Sequence, residues 1–187
     1  AFASKRYGNW DIYVIPAEGG GARQLTWHSG SDIPYGWSPD GKYLLFAGKR
    51  DTPNYSLFAL DVNSGRDRLL TEDYAAINNP NYSPDGNSIV YARYGFPWTR
   101  PRYAGSAAAQ IWLLNAQSGE RHALTTNEFQ HLWPRFMPDG KILTVTVQEL
   151  TPSTGKLNEI VSPIADNPRR TPNLWLFDMN GNAKPLT

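Results

Sequence analysis

The sequence contains no cysteine, only two methionines and three histidines, and no block of like charge. The missing thiols exclude disulfides and thiolate metal sites, and they leave both a reducing cytosol and a bridge-free envelope protein open as compartments. Net charge is +1 and no run of Lys and Arg exceeds two residues. The chain therefore has no electrostatic footprint for nucleic acid or for an anionic membrane surface. No apolar stretch approaches the roughly 18 residues of a membrane span, and Ala1-Phe2-Ala3-Ser4-Lys5-Arg6 lacks the apolar centre of a signal peptide. The 3.6-residue apolar period that a helical solenoid would need is also absent.

Motifs of common catalysts are missing as well. There is no Gly-x-Ser-x-Gly elbow, no Ser tied to a His at a recognised spacing, and no Gly-rich phosphate loop between a strand and a helix. His28, His122 and His131 have no partner at metal-ligand spacing. His28 and His131 read as connector residues that bond backbone, and His122 as a surface residue. No metal and no cofactor is expected.

What the chain does have is a stretch written three times. Tyr35-Gly36-Trp37-Ser38-Pro39-Asp40-Gly41-Lys42 leads into Tyr43-Leu44-Leu45-Phe46, Asn81-Tyr82-Ser83-Pro84-Asp85-Gly86 into Ser88-Ile89-Val90-Tyr91, and Arg135-Phe136-Met137-Pro138-Asp139-Gly140 into Ile142-Leu143. Pro fixes φ at the second turn position, Ser bonds locally at the first and Gly is favoured at the fourth, so each copy predicts a type I turn joining two antiparallel strands. Asp40, Asp85 and Asp139 belong to that turn chemistry and are assigned no catalytic role.

A second element closes each unit: Leu25-Thr26, Leu70-Thr71, Leu124-Thr125 and Leu186-Thr187, so that the Thr spacings run 45, 54 and 62 residues. Between turn and ending lies a further strand, in Ile12-Tyr13-Val14, Leu57-Phe58-Ala59-Leu60, Ile111-Trp112-Leu113 and Leu174-Trp175-Leu176. Four short strands, here called A to D, at a base period near 45 match the roughly 40 to 45 residues of a propeller blade. A β-sandwich would not repeat itself in sequence. The fold class is all-β: a β-propeller of about four blades, at 1–26, 34–71, 80–125 and 133–187, with the first lacking strand A. An incomplete ring leaves apolar blade faces and strand edges open, so the remaining blades are expected from the same or another chain, and a homo-oligomer is one way to supply them.

Length varies on one face of such a ring, the face that carries the B–C loops and D–A connections. The B–C loop grows from Lys5–Trp10 and Lys49–Tyr55 to 94–109 and 148–172. Loops beyond about 12 to 15 residues are uncommon unless functional or disordered. The first insertion holds Trp98, Arg100, Arg102 and Tyr103 between prolines, a composition suited to an interaction hot spot. Arg135 is expected beside the inner strand. These five residues are the candidate peptide- or protein-binding set; a loop folded over its own blade would have the same composition. Trp37, Trp112 and Trp175, at repeat-equivalent places, read as blade-to-blade packing.

The Trp-Ser-Pro-Asp-Gly-Lys turn, the Ile-Tyr-Val strand and the Leu-Thr ending resemble the TolB-type Pro-Asp propeller repeat over essentially the whole chain. Phe2 to Val14, Pro16 to Gly20 and Leu25 to Ser29, together with Trp98 to Tyr103, look more narrowly like the N-terminal propeller of bacterial tricorn-like serine peptidases. That resemblance implies a module that filters or guides peptides toward a serine nucleophile on another domain; the family's catalytic residues have no counterpart in this chain. Relatives of this kind are often exported, which implies a periplasmic or cell-envelope location, with the cytoplasm also open. The alternative is a TolB-like envelope scaffold that binds proteins and carries no peptidase. A propeller that is itself a hydrolase or lyase would need inward acids or His, where strand A offers Tyr35, Asn81 and Arg135.

Overall fold

The computed structural model describes residues 1–50, 54–71, 73, 75–94, 108–126, 129–149 and 170–187. Among these residues the chain forms fifteen β-strands and no helix. Strands β1 (Phe2–Ser4), β2 (Asp11–Val14) and β3 (Arg23–Gln24) make a three-stranded sheet. Three four-stranded sheets follow. The second is β4 (Asp32–Trp37), β5 (Tyr43–Gly48), β6 (Ser56–Asp61) and β7 (Asp67–Thr71). The third is β8 (Ala76–Tyr82), β9 (Ser88–Tyr94), β10 (Gln110–Asn115) and β11 (Arg121–Ala123). The fourth is β12 (Gln130–Phe136), β13 (Ile142–Glu149), β14 (Arg170–Phe177) and β15 (Ala183–Pro185). Strands are in sequence order within each sheet and every pairing is antiparallel. The first sheet thus matches strands B, C and D of the repeat, and the architecture is that of a β-propeller.

The cores lie between sheets rather than within them. Along β5, Leu44 and Phe46 pack with Ile12 and Leu25 of the first sheet, while Leu45 packs with Ile77, Ile89 and Tyr91 of the third. Along β9, Val90 and Ala92 turn the other way, toward Ile142 and Phe177 of the fourth. Strands alternate side-chain direction with period two, so a strand buried on both faces reads as a continuous apolar run. Each fully buried Leu, Ile or Phe in these layers contributes about 1.5–3 kcal/mol.

The turns form as the sequence predicts. Gly41, Gly86 and Gly140 each donate N–H to the carbonyl three residues back at 2.9 Å, with φ of +71°, +77° and +81°. Ser38 Oγ donates to Asp40 Oδ1 at 2.6 Å and accepts the Tyr43 N–H at 2.9 Å, and Ser83 repeats this with Asp85 and Ser88. Met137 cannot, and Lys141 Nζ instead donates to Asp139 Oδ2 at 2.6 Å. These bonds, led by the Ser hydroxyl or by Lys141, hold all three carboxyls below their ordinary range. The turn aspartates are structural acceptors.

The closing threonine has a definite task. Thr26, Thr125 and Thr187 each accept, on Oγ1, the backbone N–H of strand C at 2.9 Å: Ile12, Ile111 and Leu174. The preceding Leu25, Leu124 and Leu186 donate N–H to the carbonyl of the same residue at 2.7–2.8 Å. Thr71 departs from the pattern: it sits in the ladder opposite Leu57 and takes a hydrogen bond from Arg121 Nη1. Sheets are also latched sideways, Arg23 Nη2 donating to Val62 O at 2.7 Å and Arg68 Nη2 to Ala116 O at 3.3 Å in the next sheet.

Thr125 is buried, so Thr125→Val keeps the shape of the side chain and strands the Ile111 N–H. The expected loss is about 1–3 kcal/mol, read as a lower urea midpoint at unchanged m-value. An unchanged midpoint would contradict the capping role.

Candidate functional site on the inner strands

Strands β4, β8 and β12 open their sheets, and β8 touches both β4 and β12. Tyr35 OH donates to Asn78 Oδ1, Asn78 Nδ2 donates to Tyr94 OH, and Asn81 Oδ1 accepts the Phe136 N–H at 2.9 Å. Burial, reinforced by Tyr94 and Tyr55, pushes the Tyr35 phenol above its ordinary range, so it stays a neutral donor. Each of the three strands carries an irregularity at the same place, between Pro34 and Gly36, Asn78 and Asn81, and Leu132 and Arg135. One extra residue on the inner strand bends it and re-aims the side chains there. Two of these bulges contain a non-glycine residue in the left-handed region, Asn79 at φ 52° and Trp133 at φ 50°. Asn tolerates this; for Trp it is a strained conformation worth about 1–3 kcal/mol. Trp133 is 50% exposed, and Arg135, two residues on, is exposed as well.

Of the expected binding residues, Trp98, Arg100, Arg102 and Tyr103 lie outside the described residues, as do 51–53 and 150–169 of the other B–C loops. Arg135 is on β12, where Trp133 joins it. Trp133, Asn78 and Tyr94 were not singled out by sequence reasoning, although a proline inside a strand, here Pro80 and Pro134, marks a bulge. The packing expectation holds for Trp112 and Trp175, half-buried against the inter-sheet cores. It fails for Trp37, which is 42% exposed at the end of β4.

The inner strands also hold two fully buried ionisable groups, Asp32 on β4 and His131 on β12. Both stand six residues before the first residue of the turn, where β8 has Ile77. Asp32 takes the Arg50 guanidinium at 3.0 Å, and Arg50 also reaches Asp67 at 2.7 Å while stacked 5.0 Å from Phe46 and 4.7 Å from Phe58. Burial raises the Asp32 carboxyl overall, with Arg50 opposing it. The third sheet uses the same clasp: Asp73 holds Arg93 at 2.7 Å and Arg121 at 3.4 Å, and Arg93 lies over Trp112.

His131 corrects the expectation of a connector residue. It is within β12, its Nδ1 lies 2.9 Å from Thr146 Oγ1, and its ring meets Phe177 edge-on at 5.4 Å. The inner strand starts earlier than the turn motif indicates, so a residue placed in a connector becomes a core residue. His28 does bond backbone, accepting the Gly30 N–H on Nδ1 at 2.9 Å. His122 is exposed, on β11. Among the described residues the inner strands present no exposed carboxylate or imidazole, and no group of three potential metal ligands occurs.

Residues 1–144 match the family model described as the tricorn protease N-terminal beta propeller domain. The chain belongs to this family. Its relatives include an uncharacterized protein of Agrobacterium fabrum, 28% identical over 137 residues, an alignment covering 72% of this chain and 42% of that protein. The uncharacterized peptidase YuxL of Bacillus subtilis is 34% identical over 150 residues, covering 76% of this chain and 19% of the peptidase. Among solved structures, the putative TolB from Agrobacterium tumefaciens superposes with a TM-score of 0.74 at 26% identity, over 99% of this chain and 59% of that one. The tricorn protease superposes with a TM-score of 0.60 at 16% identity, over 91% of this chain and 16% of that one, which shows a shared fold. This tricorn-type propeller portion thus spans less than half the length of either curated relative.

Burial holds the His131 imidazole neutral, with its pKa lowered from 6.5 to about 4. The unfolded chain takes up a proton between these values and the folded chain does not. Stability is therefore complete above pH 6.5 and declines as pH falls toward 4, by up to about 1.4 kcal/mol per pH unit and about 3 kcal/mol in all. His131→Gln removes the titrating group, so urea midpoints at pH 7 and pH 4.5 should differ less in the variant than in the parent. Equal differences would contradict the assignment.

Proposed function

We propose that this propeller portion is a peptide-binding and substrate-access module of a tricorn-like serine peptidase, with bond cleavage carried out by residues outside this chain. The observation that carries the reading is the pair Trp133 and Arg135 on the innermost strand. The chain holds a large aromatic in strained backbone and half in solvent, two residues from an exposed guanidinium. Strained positions persist where the surrounding structure over-determines them, and they cluster at ligand sites. A guanidinium can take a peptide carboxylate in two parallel hydrogen bonds, and a Trp face supplies contact area with little side-chain entropy to lose. Membership of the tricorn N-terminal propeller family and the likeness to a protein named as a peptidase support the parent activity. Trp98, Arg100, Arg102 and Tyr103 are proposed to extend the same surface.

A second reading is favoured by the superposition on putative TolB: a cell-envelope scaffold that binds a protein partner and carries no peptidase. A cell-envelope location is proposed in either case.

The test is made on the full-length protein. Arg135→Ala should raise KM for peptides with a free C-terminal carboxylate about 10-fold, the loss of roughly one charge-assisted contact, with kcat and melting temperature unchanged. Amidated peptides should not respond. Hydrolysis insensitive to Arg135 would remove this residue from the site, and binding of a folded partner without any hydrolysis would favour the scaffold.

A further inference from the structure

Two adjoining loops of the first sheet carry three exposed aromatics on the variable face. Tyr7 is 78% exposed and Trp10 38% in the β1–β2 loop, and Trp27 is 70% exposed in the connection from β3 to β4. The loops are fastened to each other. Asn9 Nδ2 donates to His28 O at 2.6 Å and to Gly30 O at 2.8 Å, and the Asp32 N–H donates to Trp10 O at 2.8 Å. Gly8 holds the β1–β2 loop closed with φ 116° and its N–H on Lys5 O. The second sheet joins the fastening, because Lys49 N–H donates to Ser31 O at 3.0 Å. Gly30 sits so close that a Cβ there would lie 1.6 Å from Lys49 O. Isolated exposed aromatics are ordinary; several on a pinned pair of loops make a patch of the kind that marks interaction sites.

The charge of this patch has one sign. Lys5 lies 5.0 Å from the Trp10 ring, and Lys5, Arg6 and Lys49 are exposed. The nearby carboxylates are withdrawn from the surface. Asp11 is buried against Gln24 Nε2 at 3.1 Å and Thr26 Oγ1 at 3.4 Å, and Asp32 is buried against Arg50. Among the described residues of these loops no carboxylate is left exposed. Aromatic rings with interspersed cations complement a partner that alternates apolar and acidic groups, and fixed loops lower the ordering cost of taking it.

We propose that the patch formed by Tyr7, Trp10, Trp27, Lys5 and Lys49 is a docking surface for extended acidic peptides. It rests on the peptide-binding reading above and narrows the peptide class. Apolar side chains of the peptide lie on the rings, and its carboxylates face Lys5 and Lys49.

The probes are two fluorescein-labelled, C-terminally amidated decapeptides, one alternating Leu with Asp and Glu, the other with Lys at the acidic positions. Anisotropy titrations with the full-length protein should show the acidic peptide binding at least about 10-fold tighter. Trp27→Ala and Tyr7→Ala should each weaken it several-fold, Lys5→Glu with Lys49→Glu should erase the preference, and none should shift thermal unfolding, since the changed side chains are exposed. Equal binding of the two peptides, or acidic binding indifferent to Trp27 and Tyr7, overturns the inference. If a free-acid peptide then still depends on Arg135, the inner-strand reading survives alone; if no peptide binds at all, both readings fail. Tighter binding to vesicles of equal parts phosphatidylglycerol and phosphatidylcholine than to the acidic peptide would assign the patch to a membrane surface and overturn the proposal as well.

Discussion

The two central sheets of this chain depend on burying both faces of their middle strands against their neighbours. Leu44 and Phe46 serve one interface, Leu45 the next, and Val90 and Ala92 the one after that. A single sheet therefore has no core of its own, and stability is a sum of interface terms between adjacent sheets. This explains why polar devices repeat so faithfully. The threonine that caps strand C and the aspartate that fastens the Pro-Asp-Gly turn fix strands within one sheet, and the Arg latches fix one sheet against the next.

That constraint also decides where function can reside. The middle strands are committed on both faces, and the turns are committed to their own hydrogen bonds. What remains adjustable is the inner edge, where β4, β8 and β12 each take an extra residue, and the loops on the variable face. Trp133 stands in left-handed backbone at the first of these places, and Tyr7 and Trp27 stand exposed at the second. Both are departures from what a packed repeat asks for. The Arg50 clasp on Asp32 ties the second of these surfaces to the second sheet, since the Asp32 N–H bonds Trp10 O.

The repeat, the turns, the closing threonines and the fold class were legible in the sequence, because each is a local pattern with a local cause. The family was legible for the same reason. The burial of Asp32 and His131 was not. Whether a polar residue near the start of an inner strand faces solvent or core depends on where that strand begins and on the neighbouring sheet. Trp133 was hidden by the bulge: an extra residue flips the alternation of inward and outward positions beyond it. Trp37 shows the converse, a repeat-equivalent aromatic that stays 42% exposed, since position in a repeat does not by itself set burial. Of the binding set, Arg135 is on the inner strand as expected, and Trp98, Arg100, Arg102 and Tyr103 fall outside the described residues.

The most direct test of the account is hydrogen exchange of the full-length protein with and without a saturating free-acid peptide. Peptide bound where the inner strand and the pinned loops present it should slow exchange in residues 5–10, 27–31 and 130–136, and leave the strand C amides of Ile12 and Ile111 unchanged. Protection confined to other regions, with none along 130–136, would contradict the claim that this propeller portion receives peptide on its inner strand.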